Sequence, residues 1–170
     1  MKALPKAQQA EALRWITGTA AQHALPYQIC GGLAVVSHGG SRPLHDIDLY
    51  MPFADPNWAG FLDAVTPYLT WGPETVVEGQ WDLTYLKLLY HGQKIEIGAA
   101  EHICIQNKAT GAWVPQRIDF ETSETRSVLG AAIEVMPKAQ LIAYKRLLAR
   151  EVDLIDIRDL EAEHPQPPPG

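Results

Sequence analysis

The sequence predicts an α+β fold: a mixed β-sheet flanked by helices, with further helices at the C-terminal end. Three observations predict it. An apolar stripe of helical period runs through the first two dozen residues, strand-like text dominates the middle from Glu74 to Ala99, and helical period returns after Pro137. Helical text at both ends with strand-like text between them is read as an α+β protein.

Each element has its own reason. Residues Lys6 to Ala24 place Leu13, Ile16 and Ala20 on one helical face, and Pro26 stops that helix. Tyr27 to Cys30 reads as a short strand broken by Gly31-Gly32, and Leu33 to His38 as a short helix. Residues Gly39 to Pro43 form a loop by their breaker content. Asp46 to Met51 alternates charged and apolar residues, the period of a half-buried strand. Asp55 to Leu69 is expected to be helical, with Asp55 as cap, Pro56 at the first position, and Trp58, Phe61, Leu62, Val65 and Leu69 on one face. A hairpin turning at His91-Gly92 joins Leu83–Tyr90 to Lys94–Ile97. Short strands and loops fill Ala100 to Val135. Pro137 opens a helix to about Arg150, and a second runs from Val152 to Glu161.

Length and composition bound the function. The 170 residues suffice for one sizeable core and not for two ordinary domains, so residues 1–163 are expected to form one domain and 164–170 a Pro-rich tail. An apolar fraction of 46% and a charged fraction of 20% are those of a globular protein. No long apolar run suits a membrane span, and the N-terminus lacks the apolar stretch of a signal peptide, so a cytoplasmic setting is expected. In that setting Cys30 and Cys104 are expected to be reduced and buried. A net charge of −6 disfavours long nucleic acid, whose binding needs clustered Lys and Arg, but leaves room for a local triphosphate pocket.

The segment from Gly31 to Leu49 carries the chemistry. Residues two apart in a strand share a face, so Asp46 and Asp48 present two carboxylates side by side. Adjacent carboxylates repel unless a cation lies between them, and hard oxygen ligands of this kind suit Mg2+ together with phosphate oxygens. Gly31-Gly32 lets the backbone approach a ligand closely, and Arg42, in the loop before the acidic strand, is placed to meet phosphate. Alone, Asp-x-Asp is a common pattern with a bland reading as surface aspartates. The joined arrangement favours a site.

With its Gly-Gly pair, a spacer of about a dozen residues and Asp46-Ile47-Asp48-Leu49 in an apolar strand, the sequence resembles the DNA polymerase β-like nucleotidyltransferase superfamily. Gly-Gly-x-Ala with Arg42 before Asp-Ile-Asp-Leu is most similar to the small stand-alone bacterial and antibiotic nucleotidyltransferases. The strong match covers about residues 27 to 51. The resemblance implies the nucleotidyltransferase fold and a third carboxylate from a neighbouring strand, serving as metal ligand or as base. Glu96, flanked by Ile95 and Ile97, is the candidate; Asp82 is the reserve, and the competing role for Glu96 is an ion pair with Lys94 or Lys87. The segment Leu141 to Ile157 resembles the C-terminal stretch of abortive-infection and toxin-type members. There a lysine, here Lys145, faces the nucleotide and downstream acids, here Asp153 and Asp156, orient the basic groups. A solvated helix with i,i+4 charge pairs is the competing reading.

The resemblance thus implies Mg2+-dependent transfer of a nucleoside monophosphate from a triphosphate such as ATP to an unknown hydroxyl acceptor, releasing pyrophosphate. Asp46, Asp48 and Glu96 would be the catalytic, metal-binding residues; Gly31, Gly32, Arg42 and Lys145 would bind nucleotide. A homodimer or a partner protein could complete the acceptor site. The alternative is a regulatory or toxin–antitoxin component that binds nucleotide or a partner without turnover. The histidines lack zinc-site spacing in sequence, His102-x-Cys104 reads as packing, His38 and His45 default to the surface, and the tryptophans, including Trp58, Trp71 and Trp81, are expected to fill the core.

Overall fold

Residues 2–162 are described by the computed structural model, and the Pro-rich tail expected over 164–170 lies outside them. Helix α1 (Lys6–Gln22) leads into β1 (Gln28–Cys30), α2 (Gly31–Ser37), β2 (Asp46–Met51) and α3 (Trp58–Val65). Strands β3 (Leu69–Glu78), β4 (Trp81–Tyr90), β5 (Gln93–Ala99), β6 (Ile103–Gln106), β7 (Trp113–Gln116), β8 (Glu124–Val128) and β9 (Ala131–Val135) follow. Helices α4 (Lys138–Leu148) and α5 (Glu151–Glu161) close the described chain. The nine strands form a single sheet in the order β7-β6-β4-β5-β2-β1-β9-β8, with β3 on β4. Pairing is antiparallel except for β2 with β5 and β1 with β9, so the sheet is mixed, as expected.

The core forms where α1 and α3 cover the sheet. Leu13 and Ile16 of α1 and Phe61 of α3 are fully buried, together with Leu86 and Leu88 of β4 and Ile95 and Ile97 of β5. The isoleucines on either side of Glu96 thus anchor one face of β5, and strand alternation turns Glu96 to the other. In the same way Ile47 and Leu49 fix β2 so that Asp46 and Asp48 face away from this core.

Several boundaries depart from expectation for local reasons. Helix α3 starts at Trp58, later than the cap expected at Asp55, because the Asp55 carboxylate accepts the Asn57 N–H at 2.8 Å and its carbonyl accepts that of Trp58 at 3.0 Å. Asp55 closes a turn in front of the helix instead. Pro137 lies just before α4, and the helix ends at Ala149, whose φ of 46° is left-handed and breaks the chain from α5. His38 is not a surface residue: it is buried, with Nε2 2.9 Å from the Met136 carbonyl, and burial pushes its pKa down. Trp58 is in the core, whereas Trp15, Trp71 and Trp81 are half-buried and Trp113 is exposed. Both cysteines are free; Cys30 is buried, but Cys104 is only partly so. Among the described residues, no helix is long and apolar enough to cross a membrane.

Candidate active site

The register of two parallel strands builds the acidic half of the site. β2 and β5 pair Asp46 with Lys94 and Asp48 with Glu96, so Asp46, Asp48 and Glu96 stand on one sheet face. That face floors an open cavity of about 450 Å³, and all of Gly31, Gly32, Arg42, Asp46, Asp48, Glu96 and Lys145 line it. Asp82, the reserve carboxylate, does not line it: Trp81 and Leu83 do, and alternation along β4 turns Asp82 to the opposite face. The ion pair offered as the competing role for Glu96 is not formed among the described residues. The Lys87 ammonium lies instead over the rings of Trp71 and Tyr85, at 5.5 and 5.6 Å from their centroids.

Electrostatics mark these carboxylates as strained. Burial, then the charge of Glu96, then that of Asp46 push the Asp48 carboxyl up to about 7. Burial and then Asp46 raise that of Glu96, against smaller opposing effects of Lys87 and Lys94. Arg42 and Lys145 offset only part of this at Asp48, and each cation lining the cavity is also engaged by an acid of α5. Arg42 Nε lies 3.2 Å from Asp156 Oδ1, an ion pair without hydrogen-bond alignment. The buried Lys145 ammonium donates to Asp156 Oδ2 at 2.9 Å and to Asp153 Oδ1 at 3.4 Å. Arg150 clamps Asp153 through Nε and Nη2 at 2.7 and 3.1 Å. Burial pushes Asp153 up, but Arg150 and then Lys145 outweigh it and hold its pKa below the usual value.

Lys145 is therefore neither solvated nor on an i,i+4 surface pair. It is the centre of a buried network joining α4, α5 and the Arg42 loop. Asp159 extends the tether, accepting the Ser41 N–H at 3.0 Å. Asp153, Asp156 and Asp159 recur every three residues, which puts them along one side of α5, and that spacing is the sequence signal by which Asp159 could have been found.

The glycine pair has a steric reason. Gly31 has φ +61°, and a Cβ there would overlap the Asp48 carboxylate; a Cβ on Gly32 would sit 2.5 Å from Arg42 Nη2. Both glycines thus let the backbone pass directly under charged groups of the cavity. The Gly31 amide donates to the Tyr144 hydroxyl at 3.0 Å. Residues that no motif pointed to also line the wall, among them Cys30, Tyr50, Val76, Glu78, Trp81, Tyr85 and Arg150. Val76, Glu78, Trp81 and Tyr85 reach it from the long β3–β4 hairpin and Arg150 from the position before α5, which only the folded chain brings to β1 and β2.

The donor set of Asp46, Asp48 and Glu96 is all carboxylate oxygen, chemistry that suits a hard divalent cation such as magnesium, and the raised carboxyls of Asp48 and Glu96 show the charge such an ion would balance. Their oxygens are spread more widely than a single compact ligand set. Among the described residues the cluster whose three ligand atoms all lie within 4.8 Å of one another is Asp82, His102 and Cys104, on the other side of the sheet.

No family model and no curated protein matches the chain. Solved structures do. A Thermotoga maritima protein assigned provisionally as a nucleotidyltransferase superposes with a TM-score of 0.68 at 18% identity, covering 92% of this chain and 94% of that one. The antibiotic-resistance factor ANT(2'')-Ia gives 0.61 at 16% identity, with 92% and 84% covered. The lincosamide antibiotic adenylyltransferase LnuA in its lincomycin-bound form gives 0.58 at 14%, with 89% and 96% covered. The chain has the nucleotidyltransferase fold over nearly its whole length, and these structures are of similar size.

Proposed function

We propose that this protein is a magnesium-dependent nucleotidyltransferase, which moves a nucleoside monophosphate from a triphosphate to a hydroxyl with release of pyrophosphate. One observation carries the reading. Asp46, Asp48 and Glu96 share a cavity floor, where the carboxyl pKa values of Asp48 and Glu96 are raised, facing the Gly31-Gly32 turn and Arg42. The antibiotic adenylyltransferases among the structures of like fold support the same chemistry.

Each residue then has a task. Asp46, Asp48 and Glu96 would hold magnesium, which when bound supplies positive charge to the triphosphate and its leaving group. Gly32 leaves space for Arg42 to lie against the backbone, and the Arg42 guanidinium meets phosphate oxygens. Asp156, itself held by Lys145, holds Arg42 in place, and Lys145 adds its charge to the cavity. Glu96, with its carboxyl pKa raised, is suited to take the proton of the acceptor hydroxyl on one of its Oε atoms. Trp81, Tyr85 and Tyr144 offer aromatic walls on which a base or an acceptor ring can lie.

The test is transfer of label from α-labelled nucleoside triphosphates to a panel of hydroxyl acceptors, with and without magnesium. Wild type is expected to transfer label only with the metal, and Asp46→Ala and Asp48→Ala to lose it. Transfer that survives both substitutions excludes this mechanism.

A further inference from the structure

We propose that Asp82, His102 and Cys104 form a second metal site, for a thiophilic divalent cation of the zinc class, on the sheet face opposite the nucleotide cavity. The ligands come from two elements that the fold brings into register. β4 and β6 pair Asp82 directly with Cys104, so the two side chains stand side by side on one face. His102 precedes β6 with φ +50°, a left-handed backbone uncommon outside glycine, and its ring reaches the same point. Its Nε2 lies 3.3 Å from Asp82 Oδ2, and all three ligand atoms lie within 4.8 Å of one another.

Distance separates this trio from a mere ion pair with a neighbouring thiol. Metal–ligand bonds of about 2.0–2.3 Å at the tetrahedral angle place ligand atoms about 3.3–3.8 Å apart. The Asp82–His102 separation is already there, and the Cys104 sulfur lies within 4.8 Å of both. The donor set is one carboxylate oxygen, one imidazole nitrogen and one sulfur. Nitrogen and thiolate sulfur select zinc-class ions over magnesium, whereas the all-oxygen set of Asp46, Asp48 and Glu96 selects the reverse. The two sites would therefore sort metals by ligand chemistry. On binding, Cys104 gives up its thiol proton to solvent and the sulfur takes the metal as thiolate, leaving one tetrahedral position for water. Sequence spacing hides the site, because His102-x-Cys104 supplies two ligands and the third arrives across the sheet from a residue twenty positions earlier.

The site also has a structural consequence. Of β4, only Trp81 and Asp82 pair with β6, so a metal held by Asp82, His102 and Cys104 would pin the β6–β7 arm to the rest of the sheet at its short junction.

Cobalt substitution of the full, reduced, metal-stripped chain tests this. One equivalent of Co2+ is expected to give a thiolate-to-cobalt charge-transfer band in the near ultraviolet, together with the visible bands of a tetrahedral ion, and one equivalent of Zn2+ should bleach both. Cys104→Ser is expected to abolish the charge-transfer band. His102→Ala should weaken Co2+ binding by at least the ~10–100-fold that loss of an outer-shell partner costs. Circular dichroism of each variant checks that it is folded. Cys30, the other thiol, lies in the nucleotide cavity beside Asp48, so Cys30→Ser must leave the band in place. No sulfur band in wild type, a band that survives Cys104→Ser, or one lost only in Cys30→Ser overturns the proposal.

Discussion

Asp48 offers a quantitative test of the electrostatics that define the cavity. Its carboxyl is raised from 3.8 to about 7, by burial first and then by Glu96 and Asp46. A carboxyl with a raised folded pKa holds its proton more tightly in the folded chain than in the unfolded one. Below pH 3.8 both states are protonated and there is no penalty. Between 3.8 and about 7 folding stability falls by about 1.4 kcal/mol per pH unit, and above about 7 the whole penalty of about 4 kcal/mol stands. Water in the open cavity and joint titration with Glu96 and Asp46 reduce what one substitution recovers, to about 2 kcal/mol. Asp48→Asn, a neutral side chain of the same shape, should therefore stabilise the metal-free protein at about pH 8 by roughly 4–8 °C in Tm, given the size of the chain. At about pH 5 the penalty in wild type is only partly developed, and the gain should fall to under half. Thermal melts in chelator at the two pH values measure both. A gain of equal size at both, or a loss of stability at the higher pH, refutes the account of strained carboxylates.

Other consequences follow from the same contacts. Magnesium should reverse the penalty, raising the stability of wild type by about 2.7 kcal/mol at a hundredfold excess over Kd, and should leave an Asp46→Asn/Asp48→Asn double variant unmoved in differential scanning fluorimetry. Gly31→Ala must adopt φ +61° with its Cβ on the Asp48 carboxylate, so it should cost about 1–2 kcal/mol in denaturant unfolding and remove nucleotidyl transfer together. Lys145→Met leaves Asp153 and Asp156 buried without their shared partner; because Arg150 and Arg42 still reach them, the loss should lie near the low end of the ~3–5 kcal/mol for breaking a buried pair, read by urea unfolding. Phe61→Ala, which empties a fully buried position of α3, should cost about 3–5 kcal/mol without changing the pH dependence at Asp48.

What the sequence determined by itself is the local pattern. Alternation in Asp46 to Met51 and in Lys94 to Ile97 fixed which residues face the core, and therefore that Asp46, Asp48 and Glu96 face away from it. The glycine pair and Arg42 were legible because their spacing to the acidic strand is short and lies within one run of chain. The parallel register that sets Asp48 beside Glu96 was decided only in three dimensions, since nothing local to either strand specifies its partner. The same holds for Asp156 bridging Arg42 and Lys145, for the aromatic wall from β3 and β4, and for Asp82 meeting His102 and Cys104. His38 and Trp81 depart from expectation for the same reason: a side chain's burial depends on which distant elements pack over it, and periodicity reports only the face it occupies. Faces are written in the order of residues, but partners across the sheet are set by the packing of the whole chain.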